Sequence, residues 1–335
     1  RHPPRLLQQQ DHIVELHRQA AVDDAQALWS MLAELGLPGM LAPEVYGGLA
    51  MQLDDVILLL EETGRVALPA PLVETAIVAA PLLAALPEPL ASRWLPGLAS
   101  GEQVAAASLD PVSPLVADAH RADVVIMVVG SQVHAVPRNQ LTLKPEQSVD
   151  RSRRLWRVAW SPTAETRLAA GPFGAQLIHE AFNRGAVAVA AQLVGLSRQM
   201  LAMTVSYVGE RKQFGRAVGS FQAVKHHLAS ALVRLEFAVP VVHRAAYTLS
   251  HPEVAAEARQ VDAYVSHAFI DAAEAARTVG KAALQCHGAI GYSYEYDLHL
   301  WMKRVWALTA AWGTLEMHYN RVAAHVVRTT TTSHT

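Results

Sequence analysis

Arg211-Lys212-Gln213-Phe214-Gly215, followed by Ser220-Phe221-Gln222, falls where one long helical pattern stops and another begins. A guanidinium at such a corner can grip a phosphate through two parallel hydrogen bonds. The plain alternative is a helix end with a cation near its negative pole and an aromatic staple. A second stretch, Gln285-x2-Gly288-Ala289-x-Gly291-Tyr292, carries glycines that let a backbone approach a ligand closely. Taken alone, these residues read equally as a glycine cap on a helix. Lys303-Arg304 and Trp312-Gly313-Thr314 follow it.

Other chemistries find no footing. The chain has no Gly-x-Gly-x-x-Gly, no Gly-x4-Gly-Lys-Ser/Thr, no Cys-x-x-Cys, no His-Glu-x-x-His and no Gly-x-Ser-x-Gly. Among 16 histidines, His226 and His227 are neighbours on a helix, so they do not readily face one metal together. Trp301, Trp306 and Trp312 read as core or subunit contact. Lys plus Arg total 28 against 30 for Asp plus Glu, a net of -2 without blocks of like charge, so no nucleic acid or anionic membrane is called for. Apolar residues make up 51%, enough for a real core. The greasiest region, Ala76–Ala91, is interrupted by Pro81, Pro87, Glu88 and Pro89, so no membrane span is expected. The single cysteine, Cys286, suits a reducing cytoplasm. The start at Arg1 reads as a trimmed beginning rather than a signal peptide.

These residues must be positioned by helices. Residues 1–105 are expected to form an amino-terminal helical domain, with helices over Asp11–Leu35, Asp54–Gly64, Leu72–Leu86 and Leu90–Leu98. Residues 106–170 change character: Val124–Val129, Gln132–Val136 and Leu155–Trp160 predict strands of a reduced β domain. Residues 171–330 predict a four- or five-helix bundle, with helices near Gln176–Arg211, Ser220–Leu249, Pro252–Cys286, Asp297–Leu308 and Thr314–Val327. Phe221, Val224, Leu228, Leu232 and Leu235 make the apolar stripe of the second. Residues 331–335 are expected to be a frayed tail. The fold class is mostly α with a small central β domain.

The chain resembles the acyl-CoA dehydrogenases. Tyr-x3-Arg-x-Gln-Phe-Gly-x5-Phe-Gln is characteristic of that family and is intact from Tyr207 to Gln222. The Gln285–Tyr292 stretch is similar to another family segment, with Ala289 in place of a glycine. Further likeness lies in Pro43-Glu44-x-Tyr46-Gly47-Gly48, Glu61-Glu62-x-Gly64-Arg65 and Leu95-x-x-Leu98-Ala99-x-Gly101-Glu102. The middle is weaker. Ser108-Leu109-Asp110-Pro111 looks like an eroded Thr-Glu-Pro segment, and no counterpart of the family's aromatic-Ile-Thr/Ser segment is apparent.

The resemblance implies FAD, shared across a subunit interface and contacted by Arg211, Gln213, Phe214, Gln222, Gln285, Gly288, Ala289, Thr314 and Glu316. It implies removal of a proton α to a thioester by a carboxylate in a dry pocket, with hydride passing to the flavin. The two family positions for that carboxylate are Trp312 and Gly185 here, and neither side chain can take the proton. Glu180, beside His179, is the alternative base, with a solvated helix start as its plainer reading. What would serve the chain's own site is lost, and what would serve a neighbour's FAD is kept. That pattern implies the degenerate subunit of an α2β2 acyl-CoA dehydrogenase of the actinobacterial steroid type. Its partners would be a homologous catalytic subunit, which holds most of the acyl-CoA, and an electron-transfer flavoprotein. A homotetramer with a relocated base and an inactive scaffold of the same fold are the other readings.

Overall fold

A computed structural model describes residues 22–109 and 115–332. The helix expected over Asp11–Leu35 is seen as α1, Val22–Glu34; residues 11–21 lie outside the described part. The chain divides into two compact units. One takes residues 22–56 and 69–185, the other residues 57–68 and 186–332. Helix α2 is Leu53–Arg65.

In the first unit the stretch Leu72–Leu86, expected as one helix, is a π-helical run Val73–Ala79 that tightens into α3, Ala80–Ala84. The helix expected over Leu90–Leu98 forms only as α4, Leu95–Ser100. Pro87 and Pro89 remove backbone donors just before it, and Pro96 is tolerated in its first turn. Seven strands follow: β1 Ala105–Ser108, β2 Leu115–Ala117, β3 Val124–Val129, β4 Gln132–Pro137, β5 Thr142–Glu146, β6 Leu155–Ala159 and β7 Arg167–Ala169. They form one sheet in the order β1-β3-β4-β7 and another in the order β2-β6-β5. Strand β1 runs parallel to β3, and β3 and β4 are an antiparallel hairpin. Ala106, Val116, Val125, Met127, Val136 and Val158 share one buried core.

Strands β1, β2, β5 and β7 were not visible in the sequence. Strand β1 is mostly alanine, a helix former. It is extended because it pairs with β3 and because Thr75 holds it: the Thr75 hydroxyl donates to the Ala105 carbonyl at 2.8 Å and accepts the Ala105 N–H at 3.2 Å. Strand β2 stands in the region where no counterpart of the aromatic-Ile-Thr/Ser segment is apparent. It lies between the eroded Ser108-Leu109 segment and Ala122, and its Leu-Val-Ala offers neither aromatic ring nor hydroxyl. Asp110 and Pro111 lie outside the described residues.

Helix α5 spans Gly171–Glu210, 40 residues, somewhat longer than expected at its start. It is long and apolar enough to cross a membrane, and most of its apolar stretch is buried inside the protein. In the second unit it crosses α2 backbone to backbone: a Cβ at Gly195 would stand 1.8 Å from the Glu61 carbonyl oxygen, and one at Gly64 2.1 Å from that of Gln192. Only glycine allows that approach.

Helix α6 is Gln222–Ser250. Its buried face is Ala231, Leu235, Ala238, Val242 and Ala245, not the expected stripe, of which Leu235 alone is buried and Leu232 is exposed. Alanines at alternate three- and four-residue steps let a neighbouring helix come close, and large side chains are left outside. Helix α7 is Ala258–His287, later than the expected start at Pro252. Pro252 sits in a separate single turn, Pro252–Val254, and extended backbone at Ala255 and Glu257 divides the two. Helix α8 is Leu298–Leu308 and α9 is Leu315–Thr332, so the Thr-rich end is helical further than expected; residues 333–335 lie outside the described part.

Candidate functional site

Helix α5 ends at Glu210, and the next residues form a hairpin that the sequence did not announce: β8, Lys212–Gln213, pairs with β9, Arg216–Ala217. Two backbone bonds of 2.8 Å frame it, from Arg211 N–H to the Tyr207 carbonyl and from Val218 N–H to the Arg211 carbonyl. The turn residues are Phe214 and Gly215, with φ of 53° and 77°. Two left-handed residues match the twist of a tight hairpin, but the first is usually Asn, Asp or Gly. A bulky side chain there costs on the order of 1–3 kcal/mol. Phe214 is also 92% exposed. Its ring meets Phe221 edge to face at 6.1 Å, and the Arg216 guanidinium lies 4.1 Å over the Phe221 ring. Arg211, Gln213 and Gln222 are exposed as well, and Arg211 has no ion-pair partner among the described residues.

Helix α7 delivers the second motif. Gln285, Gly288 and Ala289 are exposed. Gly288 ends the helix with φ 63° and ψ -141°, its N–H bound to the Leu284 carbonyl. A side chain at Gly288 would meet nothing within 4 Å, so its backbone faces open space.

The two motifs, nearly eighty residues apart in the chain, are joined by a residue that sequence reading overlooked. His287 is 4% exposed. It stacks on Tyr207, centroids 4.4 Å apart and planes 21° apart, and lies against Tyr296 at 4.8 Å. Its Nδ1 donates to the Ala283 carbonyl at 2.8 Å. Burial lowers its pKa below the ordinary histidine value, against that bond, which favours the charged form. Tyr296 in turn reaches the Met203 carbonyl at 3.5 Å. Tyr207 is the first residue of the corner motif and His287 sits inside the glycine turn. An aromatic four residues before the arginine was the available signal.

The loop before α9 is organised around Trp312, which is buried. His318, fully buried, lies 2.8 Å from the Trp312 carbonyl through Nε2 and 3.1 Å from the Ser266 hydroxyl through Nδ1, and it stacks on Phe269 at 4.2 Å. A carbonyl only accepts, so Nε2 carries the proton and Nδ1 accepts from Ser266. Burial, against the Trp312 bond and helped by nearby Arg321, pushes the His318 pKa down to about 4. Thr314 caps α9: its hydroxyl accepts the Met317 N–H at 3.2 Å. Exposed Glu316 lies in the first turn of α9, where the helix dipole favours a negative charge. Local structure thus accounts for both residues. Trp301 anchors α8 through Nε1 to the Arg65 carbonyl at 2.9 Å, while Trp306 is half exposed.

In the first unit, Gly185 is buried within α5. Glu180 has both oxygens engaged, by Gln176 at 3.0 Å and Arg184 at 3.3 Å, as in an ordinary helix-surface ion pair. Among the described residues no three His, Cys, Asp or Glu side chains are grouped to hold a metal.

Helices flanking a small pair of sheets, a long-helix bundle and this hairpin-and-glycine-turn surface define a class of flavin-dependent oxidoreductases. The chain belongs to the acyl-CoA dehydrogenase family: the model of that family's N-terminal domain matches residues 8–102 and that of its C-terminal domain residues 173–327. It is 33% identical over 280 residues to the acyl-CoA dehydrogenase IpdE2 of Mycobacterium tuberculosis, covering 83% of this chain and 80% of that one. Solved structures share the fold as well, two of them as follows. The ChsE4-ChsE5 complex from Mycobacterium tuberculosis has a TM-score of 0.80 at 20% identity, over 97% of this chain and 98% of that one. The Tcur3481-Tcur3483 steroid acyl-CoA dehydrogenase G363A variant has a TM-score of 0.80 at 23% identity, over 97% and 99%.

The family indicates FAD as the cofactor, and the surface suits it. An exposed aromatic ring, a guanidinium without an ionic partner among the described residues and a glycine backbone facing open space lie on elements tied together by Tyr207 and His287.

Proposed function

We propose that this chain is the subunit without a catalytic base in a heteromeric acyl-CoA dehydrogenase of the steroid type. Arg211, Gln213, Phe214, Gln222, Gln285, Gly288 and Ala289 complete an FAD site whose flavin ring pocket lies in a homologous catalytic subunit. The observation that carries this reading is a contrast. Phe214 is held outward in a strained turn, whereas the base position is occupied by buried Trp312.

FAD, when bound, accepts the hydride released as an acyl-CoA thioester is desaturated. Arg211 would hold a phosphate of that group and neutralise its charge, as a guanidinium is suited to do. Phe214 would lie against an apolar part of the cofactor and exclude water there. Gly288 lets the backbone come close, and Gln285 supplies amide hydrogen bonds. The proton α to the thioester goes to a carboxylate of the catalytic subunit, since Trp312 and Gly185 cannot take it. That subunit also holds most of the acyl-CoA, and an electron-transfer flavoprotein removes the electrons. A cytoplasmic setting goes with this role. Two further features support the reading. Val233 and Phe237 are exposed on α6, beside exposed Pro240, as expected of a helix covered by another subunit. The engaged oxygens of Glu180 speak against a relocated base.

Co-expression with a homologous dehydrogenase subunit tests the proposal. A yellow complex with one FAD per heterodimer is expected, and the chain alone should be flavin-free. A yellow, active protein from this chain alone would overturn the reading. In the complex, Arg211→Ala should lose most of the bound FAD; unchanged flavin content would remove that corner from the site.

A further inference from the structure

The β8–β9 hairpin carries a second guanidinium besides that of Arg211. The strand register pairs Lys212 with Ala217 and Gln213 with Arg216. The bond from Val218 N–H to the Arg211 carbonyl, 2.8 Å, continues that register by one pair. Directly opposed residues leave the same face of a ladder, and so do alternate residues along one strand. Arg211, Gln213, Arg216 and Val218 therefore share one face of the hairpin, and Lys212 and Ala217 share the other. On the first face Arg211 and Arg216 are diagonal neighbours, a relationship that sets two residues about 7–8 Å apart.

Arg216 is exposed, yet it is held in place. Its guanidinium carbon lies 4.1 Å over the Phe221 ring, and the edge-to-face contact of Phe221 with Phe214 ties that ring to the turn. Phe221 is itself fixed at the start of α6, its N–H bound to the Val218 carbonyl at 3.2 Å. A ring face attracts a cation but offers no acceptor oxygen. Among the described residues Arg216 makes no ion pair and no side-chain hydrogen bond, and the same is true of Arg211. From Arg211 to Leu235 the sequence contains no Asp or Glu, so the hairpin brings no carboxylate of its own. Glu210, just before it, accepts from the Ser206 hydroxyl at 3.1 Å.

We infer that Arg216 is a second phosphate-binding residue of the FAD half-site, and that Arg211 and Arg216 together span the cofactor's diphosphate. The inference rests on the reading that this face completes an FAD site. A diphosphate linkage carries two negative charges on adjoining phosphates, and two guanidinium forks on one face of a hairpin match both the charge and the spread of acceptor oxygens. Phe221 holds the second cation before the cofactor arrives, so less side-chain freedom is lost on binding.

The test uses the full chain in complex with a homologous catalytic subunit. The complex is stripped of flavin, and FAD is titrated back by calorimetry at several salt concentrations. Arg216→Gln changes an exposed side chain, so the fold and the complex should persist. It should weaken FAD binding roughly tenfold and make the affinity less dependent on salt. Arg216→Lys keeps the charge without the fork, and should restore the salt dependence but only part of the affinity. Phe221→Leu removes the ring and keeps the cation; it should weaken binding several-fold and leave the salt dependence unchanged. Unaltered FAD affinity in Arg216→Gln, beside weakened binding in Arg211→Ala, would overturn this inference alone. Unaltered affinity in both variants would overturn the FAD-site reading and the inference with it. A complex that falls apart in Arg216→Gln, with normal FAD affinity in what remains assembled, would assign Arg216 to a carboxylate of the catalytic subunit and also overturn the inference.

Discussion

The His287 imidazole lies flat on the Tyr207 ring, 4.4 Å between centroids, and so couples the hairpin corner at the end of α5 to the glycine turn at the end of α7. Replacing it should disturb both motifs at once. His287→Ala is expected to lower stability by about 2–4 kcal/mol, from a lost buried ring and a lost hydrogen bond. It should also weaken FAD retention although the side chain is buried. His287→Phe, which keeps the stack, should restore most of the FAD retention. Thermal unfolding and flavin absorbance of the purified complex measure the two effects.

Phe214 should separate stability from cofactor retention. Phe214→Gly relieves a left-handed aromatic and is expected to raise the stability of the isolated chain by about 1 kcal/mol or more. The same change should lower flavin content in the complex. Chemical denaturation of the chain alone, beside flavin absorbance of the complex, gives both numbers. A variant that became less stable would show that the turn is not strained.

His318 makes a prediction about acid. Its folded pKa is about 4, below the ordinary unfolded value near 6.5. Between those values the unfolded chain binds more protons, so stability rises with pH. The contribution is fully present above about pH 6.5 and is lost as pH falls through about 4, on the order of 3 kcal/mol in all. In His318→Asn, unfolding free energy measured from pH 7 to pH 4 should fall less steeply than in the unaltered chain. His120 titrates over the same range in both proteins, so the difference isolates His318.

Trp312 is expected to matter for structure and not for the chemical step. Trp312→Ala empties a buried site and should cost about 3–5 kcal/mol. The rate of flavin reduction per bound FAD in the complex should stay close to that of the unaltered protein, as single-turnover absorbance would show.

The long helices were legible because apolar spacing and glycine stops act locally. By residue type alone the Tyr207–Gln222 stretch read as a helix end with a cation and an aromatic staple, and it stood out through its resemblance to the acyl-CoA dehydrogenases. What escaped depended on contacts distant in sequence. Alanine-rich β1 is a strand because β3 and Thr75 make it one. The β8–β9 hairpin is too short for periodicity, and its turn places phenylalanine where glycine or asparagine is usual. Helix α6 hid its true face because small alanines, not the larger Leu232, meet its neighbour. His287 was passed over because its importance lies in a stack with a residue eighty positions earlier, which no local pattern encodes.

The Gly64–Gly195 crossing has a consequence for how variation can accumulate in this chain. Where backbone meets backbone, no side chain can be enlarged or trimmed to retune the helix spacing. Substitutions that drift freely elsewhere on α2 and α5 stop at these two positions. Change is therefore confined to positions away from the crossing, where a side chain can be exchanged without moving the two backbones. A crossing locked in this way fixes the line of α5, and with it the place where the hairpin begins.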